Sequence, residues 1–337
     1  MTGVTLRTTG GHGPLPYVPS KPPQGARTVT KHNIDRPPPS GPEVRPLAAN
    51  EKIVQANGVD LCVETFGDAA DPAILLVGTS MLTWEDAFCG RLAAGPRFVI
   101  RYDIRDTGRS VGYEPGHPPY TIRDLVADAV GLLDTFDLAS AHFVGFSAGG
   151  WICQHAALDY PERVASLTLI AARSNAPGPT DDDLPEHAEA LMAYIMGAPE
   201  PDWSDRVAVI DHIIEGERHY AGSLPFDEAA RRDLAGRLVD RTDNVAWSMT
   251  TFAAIDLGDR WRERLGAVRA PTLVIHGTED PFFPYGNGVA LSKEIPGARL
   301  LTLEKMGHEV PRAVWDVVIP AIVEHTAGVP SSARDMI

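Results

Sequence analysis

The run His142-Phe-Val-Gly-Phe-Ser147-Ala-Gly-Gly-Trp151 decides the fold of this 337-residue chain. His142 to Phe146 reads as a buried strand and Ala148 to Leu158 as a helix, with only Ser147 between them. Gly145 and Gly149 flank that serine in a Gly-x-Ser-x-Gly pattern. Small residues there permit a sharp strand-to-helix turn that pushes a serine hydroxyl out of the sheet. A second match, Gly108-Arg109-Ser110-Val111-Gly112, follows the polar Arg105-Asp106-Thr107 and runs into Pro115, Pro118 and Pro119. It has neither strand nor helix around it, so Ser110 is expected in a loop.

Working outward, short β-rich runs alternate with helical patterns, the signature of βα units around a mostly parallel sheet. Ile53 to Gln55 and Val59 to Phe66 read as two strands joined by a turn at Asn57-Gly58, a dipeptide suited to a two-residue hairpin loop. Ala73 to Val77 and Phe98 to Tyr102 follow as strands, with a helix from about Trp84 to Ala94 between them. A helix from Ile122 to Phe136 carries Leu125, Val126, Ala129, Leu132 and Leu133 at helical spacing, with Thr121 as N-cap and Asp124 three residues on. Val164 to Ile170 is the next strand.

The alternation stops over residues 173–262, which are acidic, broken by six prolines and helical where periodic. An inserted helical cap is the expectation. Alternation resumes with a strand Thr272 to His276, a helix near Val289 to Glu294, a strand Ala298 to Leu303 and a last helix Arg312 to His325. The predicted organisation is a doubly wound α/β core over 49–172 and 263–327, the cap over 173–262 and a flexible C-terminus over 328–337. Residues 1–48 are expected to form a disordered tail, because the ten prolines and six glycines before residue 47 leave almost no periodic apolar pattern.

A serine hydroxyl is a poor nucleophile at neutral pH. It needs an imidazole to take its proton and an acid to hold that imidazole in the right tautomer. Asp280 lies in His276-Gly-Thr-Glu-Asp-Pro-Phe-Phe-Pro284, just past one predicted strand, and His308 lies in Met306-Gly-His-Glu-Val-Pro311, past the next. Ser147, Asp280 and His308 thus all fall at carboxyl ends of strands, the edge where open α/β sheets bind ligands. Glu279 is the alternative acid, His276 is expected to pack at the end of its strand, and Asp103 and Asp106 to shape the turn after the Phe98 strand. The charge that develops on a substrate carbonyl oxygen needs two N–H donors. Ala148, next after the nucleophile, is one; Thr79, in the loop after the Ala73 strand, is the other, with Ser80 as alternate.

Composition narrows the partners. A formal net charge of −15 opposes a phosphate-neutralising surface for nucleic acid or anionic membrane. The start, Met1-Thr-Gly-Val-Thr-Leu, lacks the charged and apolar regions of a secretory signal, which makes a cytoplasmic protein the expectation. Cys62, Cys89 and Cys153 are far apart without metal-type spacing and read as buried free thiols. Neither a metal nor a cofactor is expected.

With these elements placed, Ile100-Arg-Tyr-Asp-Ile-Arg-Asp-Thr-Gly-Arg-Ser110, Tyr120-Thr-Ile-Arg-Asp-Leu-Val-Ala-Asp-Ala129 and Val164-Ala-Ser-Leu-Thr-Leu169 resemble the branch of the α/β-hydrolases that holds aclacinomycin methylesterase and macrolide-inactivating esterases. The resemblance spans about residues 51 to 326. It implies an α/β-hydrolase fold, a Ser147-Asp280-His308 triad with oxyanion donors at Ala148 and Thr79, and hydrolysis of a small-molecule ester by a monomer or homodimer, with antibiotic resistance as one biological role. The oxyanion segment Gly78-Thr79-Ser80 is shorter than the methylesterase pattern and lacks its Gly-Gly pair.

Trp84 and Phe146 in the core and Trp203, Phe226, Trp247 and Phe252 in the cap are candidates for a substrate pocket. The cap's 18 acids against nine arginines suggest a bulky cationic polyketide ester, if the charges line the cleft. Alternatively the charges only solubilise surface helices and the aromatics fill the cap's own core. A carbon–carbon bond hydrolase or cofactor-free haloperoxidase is the competing chemistry, and a non-catalytic ligand receptor the competing class. A dehalogenase or epoxide hydrolase is disfavoured by serine, not aspartate, at position 147.

Overall fold

The Asn57-Gly58 pair takes positive φ at both residues, 50° and 76°, the backbone that a tight hairpin between right-twisted strands requires. It joins β1 (Glu51–Ala56) to β2 (Val59–Phe66), with Ile53 opposite Cys62. The computed structural model describes residues 50–174 and 181–328. The tail expected over 1–48 lies outside them, as do residues 329–337 of the expected C-terminal segment.

The later strands are β3 (Ala73–Val77), β4 (Phe98–Tyr102), β5 (Ala141–Phe146), β6 (Val164–Ile170), β7 (Thr272–Gly277) and β8 (Arg299–Leu303). Among the described residues the eight strands form one sheet in the order β1-β2-β4-β3-β5-β6-β7-β8, antiparallel over the first three and parallel from β4 onward. Every residue of β3 and β4 is buried, which explains why β3 reads as a continuous apolar run rather than an alternating one.

Helices cover both faces. On one side α2 (Ile122–Thr135) and α3 (Ala148–Asp159) pack Leu125, Leu133 and Ile152 against Leu75, Ile100 and Phe143. On the other, α1 (Asp86–Ala93) and, at the chain's end, α9 (Trp315–Ala327) pack Phe88, Leu92 and Val318 against Ile74, Leu76, Val99 and Val144. The alternation of Ile74 and Leu75 between the two clusters follows from the two-residue repeat of a strand. Thr121 caps α2 as expected, accepting from Arg123 N at 3.2 Å while Asp124 accepts from the Thr121 N–H at 2.8 Å. Such caps contribute about 1 kcal/mol.

The helix expected from Trp84 starts two residues later, at Asp86. Trp84 turns inward instead and is 1% exposed, its carbonyl oxygen taken by the Arg101 guanidinium. Between β6 and β7 the chain leaves the sheet and forms α4 (Glu189–Gly197), α5 (Arg206–Tyr220), α6 (Glu228–Arg241) and α7 (Val245–Ala254). It then re-enters the alternation through β7, α8 (Gly286–Glu294) and β8. Cys62, Cys89 and Cys153 are free and buried.

Candidate active site

Ser147 sits at φ 52°, ψ −121° between β5 and α3, a region that costs a non-glycine residue about 1–3 kcal/mol and tends to occur at functional sites. The flanking glycines are sterically required. A Cβ on Gly149 would stand 2.2 Å from the Val77 carbonyl oxygen, and one on Gly145 2.6 Å from the Gly149 oxygen and 2.7 Å from Cys153 Sγ. Only with both β-carbons absent can α3 start this close to the ends of β3 and β5.

His308 Nε2 lies 2.7 Å from Ser147 Oγ, and its Nδ1 lies 2.9 and 3.1 Å from the two oxygens of Asp280. A carboxylate can only accept, so the imidazole proton sits on Nδ1 and leaves Nε2 free to take the serine proton. Asp280 is pinned from behind: its Oδ1 accepts from Phe282 N at 2.9 Å and Phe283 N at 2.8 Å. Burial works to raise this carboxyl, but His308 and His276 beside it prevail and hold it well below the usual carboxylate range. The His308 loop is held by the C-terminal end of α5 and the residues just after it. The His308 N–H donates to the Tyr220 carbonyl at 2.8 Å, and a Cβ on Gly307 would stand 2.2 Å from Gly222 N.

The competing residues fall elsewhere. Glu279 is exposed and accepts from Ser223 N at 2.7 Å. His276 is buried at the end of β7 with Nε2 2.6 Å from the Phe283 carbonyl oxygen. Ser110 lies in a loop, donating to the Asp103 carbonyl at 2.6 Å and accepting from Cys62 N at 2.9 Å. Asp106 accepts from Tyr113 N at 2.6 Å and Tyr120 OH at 2.7 Å, closing the turn after β4.

The serine opens into a cavity of about 820 Å³, within the size range of drug-sized ligand sites. Thr79 and Ala148 both line it beside Ser147. Ala148 is the first residue of α3, so its N–H has no partner within the helix. The Ser80 N–H is directed at Thr83 Oγ1, 3.5 Å away.

Of the aromatic candidates, Trp84, Phe146 and Phe252 line the cavity. Trp203, Phe226 and Trp247 do not, and here the sequence expectation is corrected. Trp203 and Phe226 are half-buried and pack against Val209, Ile210, Ile213 and Ile214 of α5, and Trp247 is buried on α7 and absent from the lining. The acidity is likewise placed outside. Of the 18 acids in 173–262, only Glu217 lines the cavity, while Asp181, Asp183, Asp211, Glu228 and Asp240 pair with arginines on the surface.

Sequence reasoning missed Trp151, Tyr220, Phe282 and Phe283, which line the cavity. The rings of Phe146, Phe282 and Phe283 stand 5.1–5.2 Å from that of His308, and that of Tyr220 5.8 Å. Trp151 was open to detection, because it lies in the first turn of the helix that starts right after Ser147.

Glu85, Glu217, Arg231 and Glu309 are the carboxylates and the guanidinium of the lining, with Arg231 NH2 3.1 Å from Glu309 Oε2. Burial pushes the Glu217 carboxyl up to about 7, with Arg231 opposing and Glu309 and Glu85 reinforcing the rise. The folded chain therefore keeps this proton to higher pH than the unfolded chain, so stability falls as pH rises from the ordinary 4.5 through about 7. Glu217→Gln, neutral throughout, is expected to melt about 2 °C above wild type at pH 8, the shift that ~1 kcal/mol produces in a domain of more than about 250 residues. At pH 4 the gap should close, and thermal melts showing an equal gap at both pH values would refute the assignment.

The fold is matched in known proteins. A family model, the alpha/beta hydrolase fold, covers residues 92–311, which include Ser147, Asp280 and His308. The chain belongs to the α/β-hydrolase family. This α/β-hydrolase is 33% identical over 297 residues to rhodomycin D methylesterase DauP of Streptomyces sp. (strain C5), across 82% of this chain and 97% of that protein. It is also 33% identical over 299 residues to rhodomycin D methylesterase DnrP of Streptomyces peucetius, with the same coverage of both chains. Among solved structures, a meta-cleavage product hydrolase from Pseudomonas fluorescens IP01 aligns at TM-score 0.64 and 22% identity, over 81% of this chain and 96% of that one. An enol-lactonase from Burkholderia xenovorans LB400 aligns at TM-score 0.64 and 24% identity, over 81% and 99%. At these identities the structural likeness is one of fold. No helix among the described residues of the α/β-hydrolase is long and apolar enough to cross a membrane.

Proposed function

We propose that the chain is a serine esterase that cleaves a carboxylic ester or lactone of a bulky molecule, such as a macrolide or an anthracycline, through an acyl-enzyme intermediate. The observation that carries this reading is the continuous Ser147-His308-Asp280 hydrogen-bonded chain at the wall of a largely apolar cavity. Relatives that are methylesterases support ester chemistry. The cavity volume supports a large substrate.

In this reading the Ser147 oxygen attacks the ester carbonyl as His308 Nε2 takes its proton, and the Ala148 and Thr79 N–H groups receive the oxyanion. Collapse expels the alcohol with the proton from His308 and leaves the acyl group on Ser147. A water activated by His308 then frees the acid. Asp280 stays ionised throughout and stabilises the imidazolium. The helices of 173–262 act as a cap over the 49–172 and 263–327 core, and Trp84, Phe146 and Phe252 contact the substrate. The enzyme works in the cytoplasm as a monomer or homodimer.

The test is turnover of p-nitrophenyl acetate and butyrate with and without a serine-directed phosphonate. Turnover abolished together with covalent labelling of the Ser147 peptide is the expected result. A folded chain that neither turns over these esters nor takes the label would make it a receptor. Turnover of the small esters without hydrolysis of any macrolide or polycyclic methyl ester in a panel would remove the substrate class and leave the chemistry.

A further inference from the structure

The loop that carries Thr79 is held by a buried ion pair that reaches into the helical segment. The Met81 N–H, two residues after Thr79, donates to Asp103 Oδ1 at 2.9 Å. Asp103 follows β4 and is fully buried. Its Oδ2 accepts from Arg109 N at 3.1 Å and lies 2.7 Å from NH1 of Arg241, the last residue of α6. Arg241 is 7% exposed, and its Nε and NH2 donate to Glu51 Oε1 of β1 at 3.1 and 2.8 Å. Leu234 and Leu238, also on α6, pack against Cys62, Met81 and Leu82. Met81 is thus gripped through its N–H by the ion pair and through its side chain by α6.

We infer that Asp103 and Arg241 are positioning residues for the oxyanion hole, so that the C-terminal end of α6 sets how well the Thr79 N–H meets the transition state. The inference rests on the serine-esterase reading. A fully buried carboxylate stays ionised only while its cation is in place. Ionised, it is a strong acceptor that fixes the Met81 N–H. Without Arg241 that bond weakens and the two residues back to Thr79 are free to shift. Losing an oxyanion donor costs about 10²–10³ in kcat, and displacing one by a fraction of an ångström costs part of that. Ground-state binding, which rests on the apolar lining, is spared.

The experiment compares Arg241→Gln, Arg241→Lys and Glu51→Gln with wild type. It reads kcat and KM for p-nitrophenyl butyrate, and the Ki of an alkyl trifluoromethyl ketone, whose hemiketal oxygen occupies the oxyanion hole. For Arg241→Gln we expect kcat down by about 10–100-fold, KM within twofold, and Ki raised by the same factor as kcat falls. Arg241→Lys, which keeps the charge, should recover most of both. Glu51→Gln loosens the other end of Arg241 and should lower Tm with kcat and Ki kept. If Arg241→Gln does not fold, Asp103→Asn combined with it removes both charges and carries the same expectation. Wild-type kcat and Ki in Arg241→Gln or in the double variant would overturn the inference. Equal losses in Glu51→Gln and Arg241→Gln would too, since they would mark the network as a strut, and so would an Arg241→Lys no better than Arg241→Gln. Failure of both Arg241→Gln and the double variant to fold, with Arg241→Lys at wild-type Ki, also counts against it. A wild-type enzyme that neither turns over the ester nor binds the ketone would overturn the esterase reading itself, an outcome distinct from active variants beside an active wild type.

Discussion

Ser147→Ala is expected to fold normally and to lose kcat by a factor of at least about 10⁴, the scale on which removal of a triad serine acts. Alanine keeps the same Cβ at the positive φ of 52°, so the backbone strain is unchanged and only the hydroxyl is lost. That hydroxyl has the His308 Nε2 contact at 2.7 Å. Ser110→Ala is the matched control, since the two serines share the same pattern of flanking glycines. Its hydroxyl bonds the Asp103 carbonyl and Cys62 N, so its loss should lower stability by about 1–2 kcal/mol while a large fraction of activity remains. Circular dichroism and burst kinetics with p-nitrophenyl butyrate decide the matter. A dead Ser110→Ala beside a Ser147→Ala with a wild-type burst would reverse the assignment.

Asp280→Asn is expected to preserve the fold and lower kcat by up to about 10⁴. An asparagine oxygen can still accept from Phe282 N and Phe283 N, the two bonds that shape the turn. Its amide nitrogen, however, brings a donor toward His308 Nδ1, which drives the imidazole proton to Nε2. There it faces the serine hydroxyl at 2.7 Å and cannot take a second proton. His308→Ala should be at least as severe. Glu279→Gln should stay near wild type, because Glu279 is engaged with Ser223 at the surface. Single-turnover measurement of acylation separates these outcomes, and a near-normal acylation rate in Asp280→Asn would remove Asp280 from the triad.

The sequence by itself determined the strand and helix order, the elbow and the three residues that meet there. Each of those features is written in neighbours a few positions apart. Short apolar, β-rich runs set β3, β4 and β6, and the 3.6-residue period sets α2, all to within a residue, the Gly145 and Gly149 spacing admits the turn at Ser147, and strand ends place Asp280 and His308 on one edge of the sheet. Only the tertiary structure decided which aromatics face the cavity and which charges do. In 173–262 the helices bury side chains on more than one side, so composition and period leave direction open. Trp247 and Phe252 on α7 are five residues apart, about 140° around a helix, and one is buried and absent from the cavity lining while the other is part of it. The pairing of Arg241 with Asp103, 138 residues apart, is of the same kind. Nothing local to either residue predicts it, because it exists only once α6 lies across the loop after β3.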